Sequence, residues 1–178
     1  KKPISFEVFA DTFPEMYIQS KKISSWGKNV YVKIPISNTK GFSSKKLIKD
    51  LSNENIKLNI TAIFTKSQIQ TVFNSLKKST PAIISIFAGR IADTGRDPIE
   101  IVKFAKKLFK RNLKHKILWA STRELLNIFQ AQNAGADIIT VPTNILKKMN
   151  LINKNLNKYS LETVKEFYKD AKAAKFKI

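Results

Sequence analysis

Short runs of apolar and β-branched residues alternate along the chain with segments of helical periodicity. The runs predict six strands, at residues 4–10, 30–36, 56–64, 81–88, 115–120 and 137–141. The segments between and after them predict helices at residues 11–26, 45–53, 65–78, 97–112, 121–133, 142–149 and 161–175. Strands and helices that alternate in this way are typical of a parallel sheet with crossover helices.

Two architectures share this pattern, the open doubly wound sheet and the closed barrel. The chain has five glycines and neither a G-x-G-x-x-G nor a G-x-x-x-x-G-K-[ST] sequence, the phosphate-binding signatures of open sheets. We therefore predict an α/β fold, a (β/α)8 TIM barrel that forms a single domain over residues 1–178. Since such a barrel needs eight strands and the pattern predicts six, we expect the first two strands to be missing and the chain to be a fragment of a longer protein. The alternative is an incomplete barrel that is inactive alone.

One lysine interrupts the apolar strand at residues 30–36. Lys33 alternates with an apolar set that should pack against the helices, namely Val30, Val32, Ile34 and Ile36, so it is predicted to point to the barrel axis. A lysine kept from water gives up its proton readily and attacks carbonyl carbons. Lys33 is thus a candidate Schiff-base nucleophile, and the alternative is a strand-end lysine whose amine reaches solvent.

The same alternation turns other polar side chains inward. Those predicted to face the barrel interior are Ser5, Glu7, Asn59, Thr61 and Ser121, and Ser85 shares one side of its strand with Phe87. In the fifth strand the prediction places Trp119 inside and Leu118 and Ala120 outside.

Three further residues lie at or just after strand ends, where barrel active sites are built. Ser121-Thr122-Arg123-Glu124 reads as a capping box, so Ser121 and Arg123 would lie at a helix N-terminus that favours a phosphate. Arg90 opens a predicted loop that carries Asp93, which we interpret as a turn residue. Two alternatives remain: Ser121 is only a helix cap, and the two arginines are structural ion-pair partners.

Composition narrows the function classes. The chain has no cysteine and one histidine, His115, so disulfides, thiolate metal sites and histidine-rich metal clusters are excluded; neither a metal nor a cofactor is predicted. We interpret His115, at the entry end of its strand, as a surface or hydrogen-bonded polar residue away from the site. No apolar run approaches the ~18 residues of a membrane span, so we expect a cytoplasmic protein without a membrane partner.

The net charge of +20 permits binding of polyanions or of anionic small substrates. Only four of the 33 basic residues are arginine, and the lysines are spread over nearly every polar face. We therefore expect no nucleic-acid partner, because nucleic-acid binders concentrate their basic residues on one element. A basic polyanion-binding or nucleic-acid-binding protein stays as an alternative function.

Five ordered motifs cover nearly the whole chain. They are VKIP at 32–35, LNIT followed by IF at 58–64, FAGRI with Asp93 and Gly95 at 87–95, WASTR at 119–123, and AGAD followed by TVP at 134–142. Together they resemble the transaldolase family, in particular its smaller bacterial members that grade into fructose-6-phosphate aldolase. The family's first-strand aspartate and second-strand T-N-P asparagine have no counterpart in this sequence.

The resemblance implies a reaction and a set of roles. Lys33 would form a Schiff base with a ketose, Glu7 would carry protons through a water that Thr61 helps to hold, and Asn59 would hydrogen-bond around the Schiff base. Arg90, Ser121 and Arg123 would bind the sugar phosphate, with Phe87 in the same binding site.

The resemblance also bears on the type of reaction. Glu7 and Phe87 match the transaldolase branch, where the aldolase branch has glutamine and tyrosine. The expected function is transfer of a dihydroxyacetone unit between sugar phosphates, as in the pentose phosphate pathway. A fructose-6-phosphate aldolase-type lyase is the alternative. We further expect a homo-oligomer in which the C-terminal helix, 161–178, packs on a neighbouring subunit.

Overall fold

The computed structural model describes residues 1–175. Its six strands form one sheet in which every neighbouring pair is parallel and the spatial order follows the chain. The strands are β1 (Ile4–Glu7), β2 (Val30–Pro35), β3 (Leu58–Ile63), β4 (Ala82–Ile86), β5 (His115–Trp119) and β6 (Ile138–Ile139). This curled sheet with its alternating helices is part of a (β/α) TIM barrel, which confirms the predicted fold class.

The helices follow the strands in regular order. They are α1 (Phe13–Ser24), α2 (Lys45–Asn53), α3 (Lys66–Ser75), α4 (Ala88–Ala92), α5 (Ile99–Phe109), α6 (Leu126–Asn133), α7 (Thr143–Leu146), a 3-10 helix (Lys147–Leu151) and α8 (Leu156–Ala173). The chain divides into two compact units. The first, Lys1–Pro142, contains the sheet and helices α1 to α6, and the second begins at Thr143.

The helix-facing side of the sheet carries the main apolar core. Alternate residues of β2 and β3 are fully buried there, namely Val32, Ile34, Leu58 and Ile60. The predicted capping box before α3 is present: the Thr65 hydroxyl accepts from the Gln68 amide, and the Gln68 side chain accepts from the Thr65 amide. Caps of this kind satisfy amides that have no partner inside the helix, so the start of α3 was predictable.

Three helix predictions are wrong. The segment predicted as a loop from Gly89 is the short helix α4. The predicted capping box at residues 121–124 does not start a helix: α6 begins at Leu126, and the Asn127 side chain accepts from the amides of Arg123 and Glu124 instead. The last helix begins at Leu156 rather than at residue 161, because Asn155 caps it by accepting from the Lys158 amide.

The C-terminal helix prediction extends beyond α8. Its last three residues, 176–178, lie outside the described residues. Among residues 1–175, no helix is long and apolar enough to cross a membrane, and no three acidic or histidine side chains are grouped so as to hold a metal ion.

The fifth strand faces the opposite way from the prediction. Leu118 and Ala120 pack with Ile83 in a second apolar cluster, whereas Trp119 is fully buried in the main core beside its register partner Ile86. A parallel strand is buried on both faces, so an apolar sequence does not mark which face is inside. Trp119 is therefore packing, not lining of the barrel interior.

His115 lies at the start of β5, buried, with Nε2 3.2 Å from the Thr80 carbonyl oxygen. Burial lowers the pKa of His115 below its usual 6.5. The unfolded chain therefore binds a proton more readily than the folded one, and this histidine should lower the free energy of unfolding as the pH drops below about 6.5.

We expect His115→Gln to lose less stability than the wild type between about pH 7.5 and about pH 5.5. Urea unfolding of both proteins at the two pH values measures the difference. Carboxylates titrate in both proteins, so only the difference between them reports on His115. Equal losses would contradict the prediction.

Candidate active site

Lys33 and Glu7 form an ion pair on neighbouring strands. They are register partners of β2 and β1, and the distance from Lys33 Nζ to Glu7 Oε2 is 3.0 Å. The Lys33 side chain is 30% exposed and that of Glu7 48%. Removal from water, which would make a lysine reactive, is therefore incomplete at Lys33. What the structure shows instead is a carboxylate in direct hydrogen-bond contact with the lysine amine.

Asn59 is the register partner of Lys33 on the other side, in β3. Its side chain is buried in a hydrogen-bonded row: Nδ2 donates to Ser5 Oγ at 3.0 Å, and Oδ1 accepts from Ser85 Oγ at 2.6 Å. Both ends of the Asn59 amide are thus hydrogen-bonded to serine hydroxyls, which hold this side chain in place across the sheet. Strand parity places these three residues on one face, and the strand register joins them.

Thr61 follows Asn59 at the carboxyl end of β3, beside Pro35 of β2. The residue is 2% exposed, and its hydroxyl oxygen has no hydrogen-bond partner within residues 1–175. The strand is irregular at this point, because Ala62 has φ 57° and the pairing with β4 shifts between Ile60 and Ile63. A buried hydroxyl without a partner costs about 1–3 kcal/mol, so this group is suited to a bound molecule.

Phe87 forms an apolar wall directly after β4. It packs against the cluster of Ile83, Leu118 and Ala120, and its ring centroid is 5.7 Å from that of Phe64. The guanidinium of Arg90 lies over the Phe87 ring, with its Cζ atom 5.5 Å from the ring centroid. An aromatic ring in this position attracts the cation and brings Arg90 to the carboxyl ends of the strands.

The segments after β4 and β5 are packed directly on each other. The Gly89 amide donates to the Ala120 carbonyl at 3.2 Å, and a Cβ atom added to Gly89 would lie 1.5 Å from the Ser121 carbonyl oxygen. Ser121 itself has φ 65°, in the left-handed region. Such a conformation is uncommon outside glycine and often marks functional sites. Because α6 begins five residues later, the reading of Ser121 as a helix cap is wrong.

Arg123 is held at both ends of the residue. Its amide donates to Asn127 Oδ1 at 2.9 Å, and its Nη2 donates to Asp93 Oδ2 at 2.6 Å. The sequence predicts Asp93 only as a turn residue. Its position three residues after Arg90 is the only sequence signal that it could pair with an arginine. Arg123 thus has an ion-pair partner. For this residue, that agrees with the alternative that the two arginines form structural ion pairs.

The eight candidate residues fall into two groups. Lys33, Glu7, Asn59 and Thr61 share the inner face of β1 to β3, and Phe87, Arg90, Ser121 and Arg123 lie at or after the carboxyl ends of β4 and β5. The first group offers an amine, a proton acceptor and hydrogen-bonding groups. The second offers cationic donors beside an apolar wall. Such a set suits a carbonyl compound with an anionic end.

Comparison with known proteins finds relatives that share one description. The "Probable transaldolase" of Nitrosopumilus maritimus is 33% identical over 175 residues, 97% of this chain and 74% of that protein. Proteins of the same description from Thermoplasma volcanium and Carboxydothermus hydrogenoformans are 35% and 34% identical, over 82% and 83% of this chain and 62% and 65% of theirs. The matched regions thus span between 62% and 74% of the length of these relatives.

The family comparison covers more of the chain than any of these pairwise matches. The family model described as Transaldolase/Fructose-6-phosphate aldolase matches residues 1–178. The resemblance found in the five sequence motifs is confirmed: the chain belongs to the transaldolase/fructose-6-phosphate aldolase family.

Proposed function

We propose that this protein transfers a dihydroxyacetone unit between sugar phosphates through a Schiff base on Lys33. The observation that carries the proposal is the 3.0 Å contact between Lys33 Nζ and the Glu7 carboxylate, on the strand face that also holds Asn59. An amine beside a proton acceptor is the arrangement that carbonyl attack needs. Action in the cytoplasm and in the pentose phosphate pathway is part of the same proposal and rests on the family.

In the first step, Glu7 takes a proton from the Lys33 ammonium, and the free amine attacks the ketose carbonyl carbon. The carbinolamine then loses water as Glu7 returns the proton, which leaves an iminium ion on Lys33. The iminium accepts the electron pair of the C3–C4 bond as that bond breaks, and the C4 hydroxyl gives its proton to Glu7, which is a carboxylate again once the water has left. Asn59 would hydrogen-bond the hydroxyl groups next to the iminium, and the Thr61 hydroxyl would hold a water in the proton path.

The phosphate of the substrate would lie at the strand ends. Arg90 and Arg123 supply charged donors there, Ser121 supplies a hydroxyl, and Phe87 borders the carbon chain. Guanidinium groups suit this role because their planar donors match phosphate oxygens. In the proposed binding mode, the reacting carbon of the substrate lies on the side of β1 to β3, and its phosphate lies at β4 and β5.

Transfer is preferred over simple cleavage because Glu7 and Phe87 are the transaldolase residues at these two positions. A transferase holds the three-carbon enamine on Lys33 until an aldehyde acceptor arrives, whereas a lyase protonates it and releases the ketone.

Borohydride trapping tests the proposal. Reduction in the presence of fructose 6-phosphate should leave a stable adduct, and peptide mass mapping should locate it on Lys33. Addition of an aldose phosphate acceptor should speed consumption of fructose 6-phosphate, because the enamine is then released as a new ketose. An adduct on a different lysine would contradict the site, and consumption that does not depend on the acceptor would favour the lyase.

We also propose, in line with the sequence, a single barrel domain and a homo-oligomer in which the C-terminal helix packs on a neighbouring subunit. What supports the second part is one face of α8, which carries large exposed apolar side chains: Leu161, Val164, Phe167 and Tyr168. Exposed apolar patches of this kind often mark protein interfaces.

A further inference from the structure

Asp93 contacts a residue of the candidate site but has no part in the proposed reaction. Its Oδ2 accepts from Arg123 Nη2 at 2.6 Å, and both side chains are about half exposed, 50% and 49%. An ion pair as exposed as this adds little to stability, because solvent screens it. The effect of this ion pair therefore lies in where it holds the Arg123 guanidinium.

The backbone of Asp93 has a fixed place. Asp93 caps the C-terminus of α4, and its amide donates to the Gly89 carbonyl at 3.0 Å. Gly89 is in turn packed on Ser121, in the segment that carries Arg123. The ion pair thus closes a loop of contacts that already joins the segments after β4 and β5, and it ties the Arg123 side chain to the helix that bears Arg90.

The pair also has an electrostatic consequence. Arg90 and Arg123 lie in two segments that touch, and within residues 1–175 Asp93 is the acidic side chain that forms an ion pair with either of them. Asp93 therefore brings one negative charge to the two segments that carry these cations. A guanidinium has five N–H donors, so a single bond from Nη2 leaves donors on Nη1 and Nε for phosphate oxygens.

We propose that Asp93 is a positioning residue that orients the Arg123 guanidinium toward the phosphate of the substrate. This inference rests on the proposed function, since it assumes a phosphorylated ligand at Arg123. Asp93 does not touch the ligand itself. It restricts Arg123, which would otherwise lose side-chain freedom when the phosphate binds.

The test compares a phosphorylated with an unphosphorylated ligand. Asp93→Asn should raise the Kd for fructose 6-phosphate, measured by isothermal titration calorimetry, roughly 3- to 10-fold. It should leave unchanged the rate of borohydride-trapped adduct formation at Lys33 with dihydroxyacetone, which carries no phosphate. A purely structural role would change both readouts, and the urea unfolding midpoint shows whether the fold is intact.

Two comparisons make the test specific. Asp97→Asn removes the same charge four residues away, where Oδ1 accepts from the Ile99 amide, and should leave the Kd unchanged. In an Arg123→Ala background, Asp93→Asn should have no further effect, since its partner is gone.

Each outcome decides one of the two proposals. An unchanged or lower Kd in Asp93→Asn, with tight binding by the wild type and weak binding by Arg123→Ala, overturns the positioning role and leaves the proposed function standing. An equal effect of Asp97→Asn also overturns it, in favour of general charge. No binding of fructose 6-phosphate and no dihydroxyacetone adduct in the wild type would overturn the proposed function together with the inference.

Discussion

Lys33→Met should abolish the borohydride-trapped adduct with fructose 6-phosphate and reduce any transfer activity by on the order of 10³-fold or more. The reason is that methionine has nearly the same length as lysine but no amine, so no covalent intermediate can form. Mass spectrometry of the reduced protein measures the adduct directly and does not depend on turnover.

The fold should survive this substitution. Lys33 is part of an exposed ion pair with Glu7, and the loss of such a pair costs about 0–1 kcal/mol. Lys116→Met is the matched control, because Lys116 is another strand lysine, half exposed and 4.0 Å from the carboxylate of Asp137. It should retain the adduct in full. An adduct of normal yield in Lys33→Met would refute the role of Lys33.

Gly89→Ala should damage both stability and phosphate binding. The new Cβ would lie 1.5 Å from the Ser121 carbonyl oxygen and 3.1 Å from Arg123 Cγ. The first contact is with backbone, which has no rotamer to yield, so the segments after β4 and β5 must separate. We expect a loss of about 1–3 kcal/mol or more in the free energy of unfolding, together with weaker binding of fructose 6-phosphate.

Gly27→Ala is the control for this prediction. A Cβ at Gly27 would meet mainly the side-chain oxygen of Asn29, at 3.3 Å, which can move away. Urea unfolding and calorimetric titration of both variants measure the two effects. If Gly89→Ala resembled Gly27→Ala in both measurements, the close packing of Gly89 on Ser121 would not matter to the site.

The catalytic half of the candidate site was largely accessible from the sequence. Strand parity predicts that Glu7, Lys33, Asn59 and Thr61 face one side, because in each strand an apolar set alternates with them, weakly in the first strand and clearly in the other two. The strand register then aligns Glu7, Lys33 and Asn59 across three neighbouring strands. Register depends on pairing between segments far apart in the chain, so the 3.0 Å ion pair and the Ser5–Asn59–Ser85 row were not predictable.

The phosphate half was predicted by position but not by geometry. Arg90, Ser121 and Arg123 follow strand ends in the sequence, and that much is local information. The left-handed conformation of Ser121, the short helix α4 and the contact of Arg123 with Asp93 arise where two loops press on each other. The local capping signal at residues 121–124 does not start a helix, because the Asn127 side chain accepts hydrogen bonds from the amides of Arg123 and Glu124.

The pattern of strands, helix caps and ordered motifs was sufficient for the parallel α/β architecture, for the family and for the inward face of Lys33. These features depend on side-chain periodicity and on hydrogen bonds between groups a few residues apart, so they are determined locally. The orientation of Trp119, the approach of Gly89 to Ser121 and the pairing of Asp93 with Arg123 required the folded chain. In each of these, two segments compete for the same space or the same charge, and only the packed strands settle which contact forms.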